Sequence, residues 1–292
     1  MKLTLRRKSE DAAVSLPALM IKAERAASSV FHGEHAQRRA GAGEKFWQFR
    51  EYDASDRPQD IDWRQSGKTD RLFIRQKERQ LPQSALLWAC AAPGMDFSTH
   101  HNPTKAECAK IIILALSILI TRAGERVGAL GAAQMGRSEA ALDRIAETLS
   151  AGLDKNALPD AGPSRSQKNA LVILAGDFIS PIEDIESSFK NLAPLAGGGC
   201  VIQILDPAEI NLPWHGRAIF EEPGTGRKEP AQNIESIQDA YARKIESHIK
   251  SIEALARDCG WHYVLHRTDQ SIDKTLADIW LSLSALTPKG SA

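Results

Sequence analysis

The side chains able to do chemistry in this 292-residue chain are scattered, so their spacing decides which reactions are open to them. Asp177 stands in Gly176-Asp177-Phe178-Ile179-Ser180-Pro181, directly after an apolar run. Asp96-Phe97-Ser98-Thr99 opens a D-x-S pattern that runs into His100 and His101. Asp177, Asp96 and His100 would form a metal-dependent hydrolase only if folding brought them within hydrogen-bond reach. His262 and His266 lie four apart in an apolar strand pattern, hence on one face, which suits packing against a helix better than ligation. Cys90, Cys108, Cys200 and Cys259 make no CxxC pair, which supports neither a zinc knuckle nor a disulfide framework and fits a reducing cytosol. Cys90, at a strand end, would need a basic or helix-terminal setting to be reactive. There is no GxSxG, HExxH, P-loop or nucleotide-binding glycine fingerprint. With no catalytic motif, neither an enzyme nor a bound cofactor is expected.

The elements that must position these groups follow an alternating rhythm. Apolar runs at 84–91, 126–132, 170–178, 200–205 and 261–267 read as strands. Helical patterns lie at 104–122, 139–153, 182–195, 234–259 and 272–286. Strands apolar on both faces and separated by helices predict an α/β fold with a mainly parallel sheet covered on both sides. Right-handed crossovers make such a sheet doubly wound, of Rossmann type. Residues 207–231, with their Pro-Gly and Gly-Arg pairs, break the rhythm and read as an inserted β-hairpin. Apolar positions at helical intervals over 9–31 predict one or two further helices. The expected organisation is an N-terminal helix and Arg/Asp/aromatic-rich segment over 1–80 packed on a main domain over 81–287, with a tail at 288–292.

Composition narrows the classes of partner. Lys plus Arg and Asp plus Glu both number 37, so the chain is formally neutral and has no overall attraction for nucleic acid or anionic membrane. The most apolar stretch, Ile111–Ile120, is about half as long as a membrane-spanning helix requires and predicts a buried helix. No apolar run of signal-peptide length precedes Lys22, so a cytoplasmic location without membrane insertion is expected. Residues 44–79 mix Arg50, Arg57, Arg64, Arg71 and Arg75 with Asp53, Asp56, Asp60 and Asp62. That alternation reads as a lattice of ion pairs clamping the N-terminal segment, with Trp63 as apolar anchor, or as a partner-docking face. Arg50, Asp56, Asp62, Trp63, Arg64 and Arg75 are the partner-binding candidates. The one-sided basic stripe that nucleic acid would need is absent.

Residues 41–80, GAGEKFWQFREYDASDRPQDIDWRQSGKTDRLFIRQKERQ, carry a GxGE turn, FR-x-Y at 49–52, Asp56, IDWR at 61–64, Ser66 and LFIR at 72–75. In this they resemble the bacterial domain of unknown function 58 family. The likeness continues through Lys105, GERVG at 124–128 and GDFISP at 176–181. The resemblance implies a von Willebrand factor A-like domain of the kind found beside MoxR-type AAA+ ATPases. In A-type domains a D-x-S-x-S loop after the first strand, a Thr and a third-loop Asp hold a hard cation that accepts a partner's carboxylate. By that correspondence Cys90 takes the Asp position, Ala92 and Gly94 the two Ser positions, and Asp177 the third-loop Asp. A thiol, a methyl and a hydrogen are poor ligands for Mg²⁺, so the resemblance implies a degenerate metal-ion-dependent adhesion site with no metal. The expectation is a non-enzymatic interaction module, an adaptor for a MoxR-type AAA+ ATPase in protein assembly or maturation. The alternative is a cryptic hydrolase built on Asp177, Asp96 and His100.

Overall fold

The computed structural model describes residues 23–28, 30, 46–51, 66–68, 72–77, 84–99, 102–151, 157–159, 162–164 and 167–285. The chain divides into two compact units, residues 1–33 with 83–292, and residues 34–82. In the smaller unit β1 (Phe46–Glu51) pairs antiparallel with β2 (Phe73–Lys77), with Phe49 opposite Arg75 and Arg50 opposite Ile74. Ser66 is buried there and Leu72 is exposed.

The larger unit is built on β3 (Ser84–Ala89), β4 (Arg126–Ala129), β5 (Leu171–Gly176), β6 (Gly198–Leu205) and β9 (His262–Arg267). They form one wholly parallel sheet in the order β4-β3-β5-β6-β9. This is the doubly wound α/β arrangement that the strand-helix rhythm predicts. The crossovers are α1 (Lys105–Arg122), α2 (Glu139–Ala151), α3 (Ile182–Leu192) and α5 (Glu235–Asp258), and α6 (Ile272–Ala285) closes the unit. Buried on both faces, β5 and β6 have no solvent side, which is why their sequences run apolar without alternation.

Helix α1 explains the most apolar stretch of the chain. Every residue from Ile111 to Ile120 is buried, including Ser117, whose hydroxyl donates to the Ile113 carbonyl. The helix starts where the Thr104 side chain accepts from the Glu107 amide, and Arg122 in its last turn pairs with Glu24 of the helical residues 23–28. Among the described residues no helix is long and apolar enough to cross a membrane.

An aromatic chain runs under the sheet: Trp88 to Phe178 at 6.4 Å between ring centroids, Phe178 to Phe189 at 5.9 Å, and Phe189 to Trp261 at 5.4 Å. Gly199 permits the last member to pack, because a β-carbon there would lie 2.4 Å from the Trp261 indole. The segment after β6 holds more than the expected hairpin. A short helix α4 (Pro207–Asn211) comes first, followed by the hairpin of β7 (Ala218–Glu221) and β8 (Lys228–Ala231).

His266 of β9 faces α6, as expected of a strand histidine packed on a helix. It is fully buried, its Nδ1 lies 2.8 Å from Thr275 Oγ1, and its Nε2 has no hydrogen-bond partner among the described residues. Burial pushes its pKa down from 6.5 to about 4, against the weaker pull of Asp269. A depressed histidine pKa means the unfolded chain binds the extra proton first, so the contribution to stability is complete above about pH 6.5 and declines toward pH 4. Denaturation curves should show wild type losing stability between about pH 7 and 5, with a flatter profile for His266→Gln over that window. Identical slopes would contradict a buried neutral imidazole.

Candidate functional site at the carboxyl end of the sheet

Strand order reverses between β3 and β5, so the loops leaving those two strands flank the crevice where ligands of open α/β sheets bind. The first loop begins at Cys90, whose amide donates to the Ala175 carbonyl at 2.8 Å. Its thiol is buried against Gly176, close enough that a β-carbon on that glycine would meet Cys90 Cβ at 2.9 Å. The loop then makes a 3-10 turn over Pro93–Asp96, which buries Met95 and leaves Asp96 exposed. Ala92 is half-buried. Gly94 faces the second loop: a β-carbon there would lie 3.4 Å from Asp177 Oδ2.

The second loop is held in an unusual conformation. Phe178 has a φ of 52°, the left-handed region that a bulky residue rarely adopts. Three contacts fix it there. The Asp177 carbonyl accepts from Gln203 Nε2 at 3.0 Å, and Gln203 Oε1 in turn accepts from the Tyr263 hydroxyl at 2.6 Å. The Phe178 carbonyl lies 2.8 Å from His248 Nε2, which must carry the proton in that bond. The Phe178 ring itself is fully buried. Strain of this kind persists only where surroundings over-determine it, and here it accompanies an Asp177 carboxylate that meets Lys105.

At the centre lies Lys105, the first residue of α1 and only 1% exposed. Its Nζ donates to Asp177 Oδ2 at 3.0 Å and to Glu209 Oε1 at 2.5 Å. Glu209 belongs to α4, whose capping box links it to Asp206. The Glu209 carboxylate accepts from the Asp206 amide at 2.9 Å, and Asp206 Oδ1 accepts from the Ala208 amide at 2.9 Å. Burial pushes the Glu209 carboxyl up, and the Lys105 ammonium only partly offsets that.

Fully buried Asp206 is the anchor of the neighbouring loops. Its carboxylate accepts from the Thr99 amide at 3.0 Å, from the Thr99 hydroxyl, and from the Thr268 hydroxyl at 3.0 Å. Burial opposes ionisation of Asp206, but the bonds from Thr99, Ala208 and Thr268 together outweigh it and hold the carboxyl below its usual range. The turn of the β7–β8 hairpin reaches the same place. A β-carbon on Gly224 would meet Pro93 Cγ at 3.0 Å, and Pro223 lies 4.0 Å from the Gly94 β-position.

Of the residues singled out in the sequence, Gly94 and Asp177 come together here, Cys90 turns into the core and Asp96 faces solvent. His100, Asp56, Asp62, Trp63 and Arg64 lie outside the described residues, while Arg50 and Arg75 sit in β1 and β2 of the smaller unit. Sequence reasoning took Lys105 only as part of a family likeness and missed Asp206 and Glu209. A signal was available: Asp206-Pro207-Ala208-Glu209 is a D-x-x-E capping box with proline at the first helical position, directly after a buried strand. Among the described residues no three His, Cys, Asp or Glu are grouped to hold a metal ion.

Comparison with known proteins adds a family and uncharacterised relatives. The model of the family described as "Protein of unknown function DUF58" matches residues 48–251. The uncharacterized proteins Rv1480 of Mycobacterium tuberculosis and Mb1516 of Mycobacterium bovis are each 25% identical over 284 residues, covering 91% of this chain and 87% of their own. No solved structure matches.

Removing the Asp206 carboxylate leaves buried donors from Thr99, Ala208 and Thr268 without their acceptor. Asp206→Ala should cost on the order of 3 kcal/mol in urea denaturation, and Asp96→Ala less than about 0.5 kcal/mol. Equal losses would remove Asp206 as the anchor of these loops.

Proposed function

The chain belongs to the DUF58 family, and on that premise we propose that it is a non-enzymatic protein-interaction module, a von Willebrand factor A-like domain with a degenerate metal-ion-dependent adhesion site. Its partner in this reading is a MoxR-type AAA+ ATPase, for which it serves as adaptor in protein assembly or maturation. The partner's identity comes from the resemblance carried by the 41–80 signature and the GDFISP loop.

One contrast at the carboxyl end of the sheet carries the reading: the acidic groups that converge there, Asp177, Asp206 and Glu209, are bonded internally, while large apolar side chains are exposed. Asp177, Asp206 and Glu209 bond to Lys105, threonines and backbone amides. Ile179, directly after β5, is 51% exposed, and Trp214 and Ile219, in the segment that leaves β6, are 40% and 67% exposed. Exposed aromatic and aliphatic anchors are what a protein partner desolvates, whereas a hydrolytic site needs a carboxylate or imidazole open to substrate. The adhesion-site positions themselves do not fit a hard cation, since Cys90, Ala92 and Gly94 bring no oxygen ligand from their side chains.

Binding of this kind is independent of divalent ions. The AAA+ ATPase should co-purify with the tagged protein from its native host in the presence of a chelator. Its recovery, quantified by mass spectrometry, should fall about tenfold or more for Ile179→Glu/Ile219→Glu while the melting temperature is unchanged. Undiminished recovery with the double variant, or loss of the ATPase on chelation alone, would overturn the reading.

A further inference from the structure

We infer that the ammonium of Lys105 occupies the cation position of the crevice, so that the protein carries a divalent-cation site closed by its own lysine and opened by removing it. The inference deepens the degenerate-site reading by naming what replaced the ion, and its test needs only the isolated protein.

Lys105 is in a place that its own helix disfavours. The N-terminus of a helix carries partial positive charge and attracts anions, yet the first residue of α1 is a lysine. Burying a cation also carries a desolvation penalty of several kcal/mol unless opposite charge and hydrogen bonds meet it. Two carboxylates meet it here, one from the β5 loop and one from α4, converging on a single Nζ at 3.0 and 2.5 Å. Two carboxylate oxygens from separate loops meet at one buried point, and oxygen is the ligand type that a hard cation takes. Gly94 adds to the resemblance, since it lies against Asp177 without a side chain of its own.

The charge balance points the same way. A divalent ion would neutralise Asp177 and Glu209 together, whereas one ammonium neutralises half of that charge. Asp206, its carboxylate bonded to its own donors, is a further anion and brings no positive charge to make up the difference. A covalently attached cation cannot be chelated, exchanged or titrated away by changes in Mg²⁺. The crevice is therefore fixed in one state, and engagement through it is not regulated by divalent ions. The ammonium is also out of a partner's reach at 1% exposure, which removes the open coordination position that an acidic ligand would need.

Mn²⁺ is the probe, read by the loss of its free electron-paramagnetic-resonance signal and by thermal denaturation. Wild type should leave the signal and the melting temperature unchanged at millimolar Mn²⁺. Lys105→Ala should take up about one ion per chain, with a saturable rise in melting temperature of roughly 5 °C or more, as a ligand specific to the native state requires. Lys105→Ala/Asp177→Asn should lose that uptake. Lys105→Gln, which retains a donor for Asp177 and adds an oxygen, provides the same readout if Lys105→Ala does not fold without metal. Saturable Mn²⁺ binding by wild type would overturn the inference, as would its absence from both single variants or a failure of both to fold with Mn²⁺ present. Partner capture by the Ile179 and Ile219 variants is unaffected by any of these results, so the two readings fail separately.

Discussion

A buried ammonium held by two carboxylates is the constraint around which this crevice is organised. Lys105 brings its charge from the start of α1, Asp177 from the end of β5 and Glu209 from α4. None of the three is stable in that setting alone, because an isolated buried charge is disfavoured far more than an exposed one. The loops are consequently arranged to keep the three together. Gln203 and His248 hold the left-handed turn at Phe178, the capping box aims Glu209, and Asp206 ties Thr99 and Thr268 to the end of β6.

The fold supplies the place for this arrangement. Because strand order reverses at β3 and β5, the loops after those strands diverge and leave a crevice, and the N-terminus of α1 points into it. In a domain that grips an ion there, the protein supplies oxygens and the solvent supplies the cation. Here the cation comes with the chain. At the carboxyl end of the sheet the large apolar side chains left exposed are Ile179, Trp214 and Ile219.

How much of this was legible in the sequence depends on whether a feature is local. Helix α1 could be read from Ile111–Ile120, and the parallel sheet from strands such as Leu171–Gly176 that have no polar face. The hairpin was legible because Pro223-Gly224 and Gly226-Arg227 mark its turn. Strand ends were less so. The pattern over 170–178 ran two residues past Gly176, since Phe178 is apolar but buried through a left-handed turn and not through the sheet. The cation site was illegible for a different reason: Lys105 meets partners 72 and 104 residues away, and periodicity carries no information at that range. A lysine at a helix start, against the dipole, and the D-x-x-E capping box at Asp206–Glu209 were the local hints.

The most direct measurement is an anomalous difference map from wild-type crystals soaked in Mn²⁺. Lys105 Nζ within hydrogen-bonding distance of Asp177 Oδ2, with no anomalous peak beside that carboxylate, is the result this account predicts. A manganese peak within bonding distance of Asp177, with the lysine displaced from it, would contradict it.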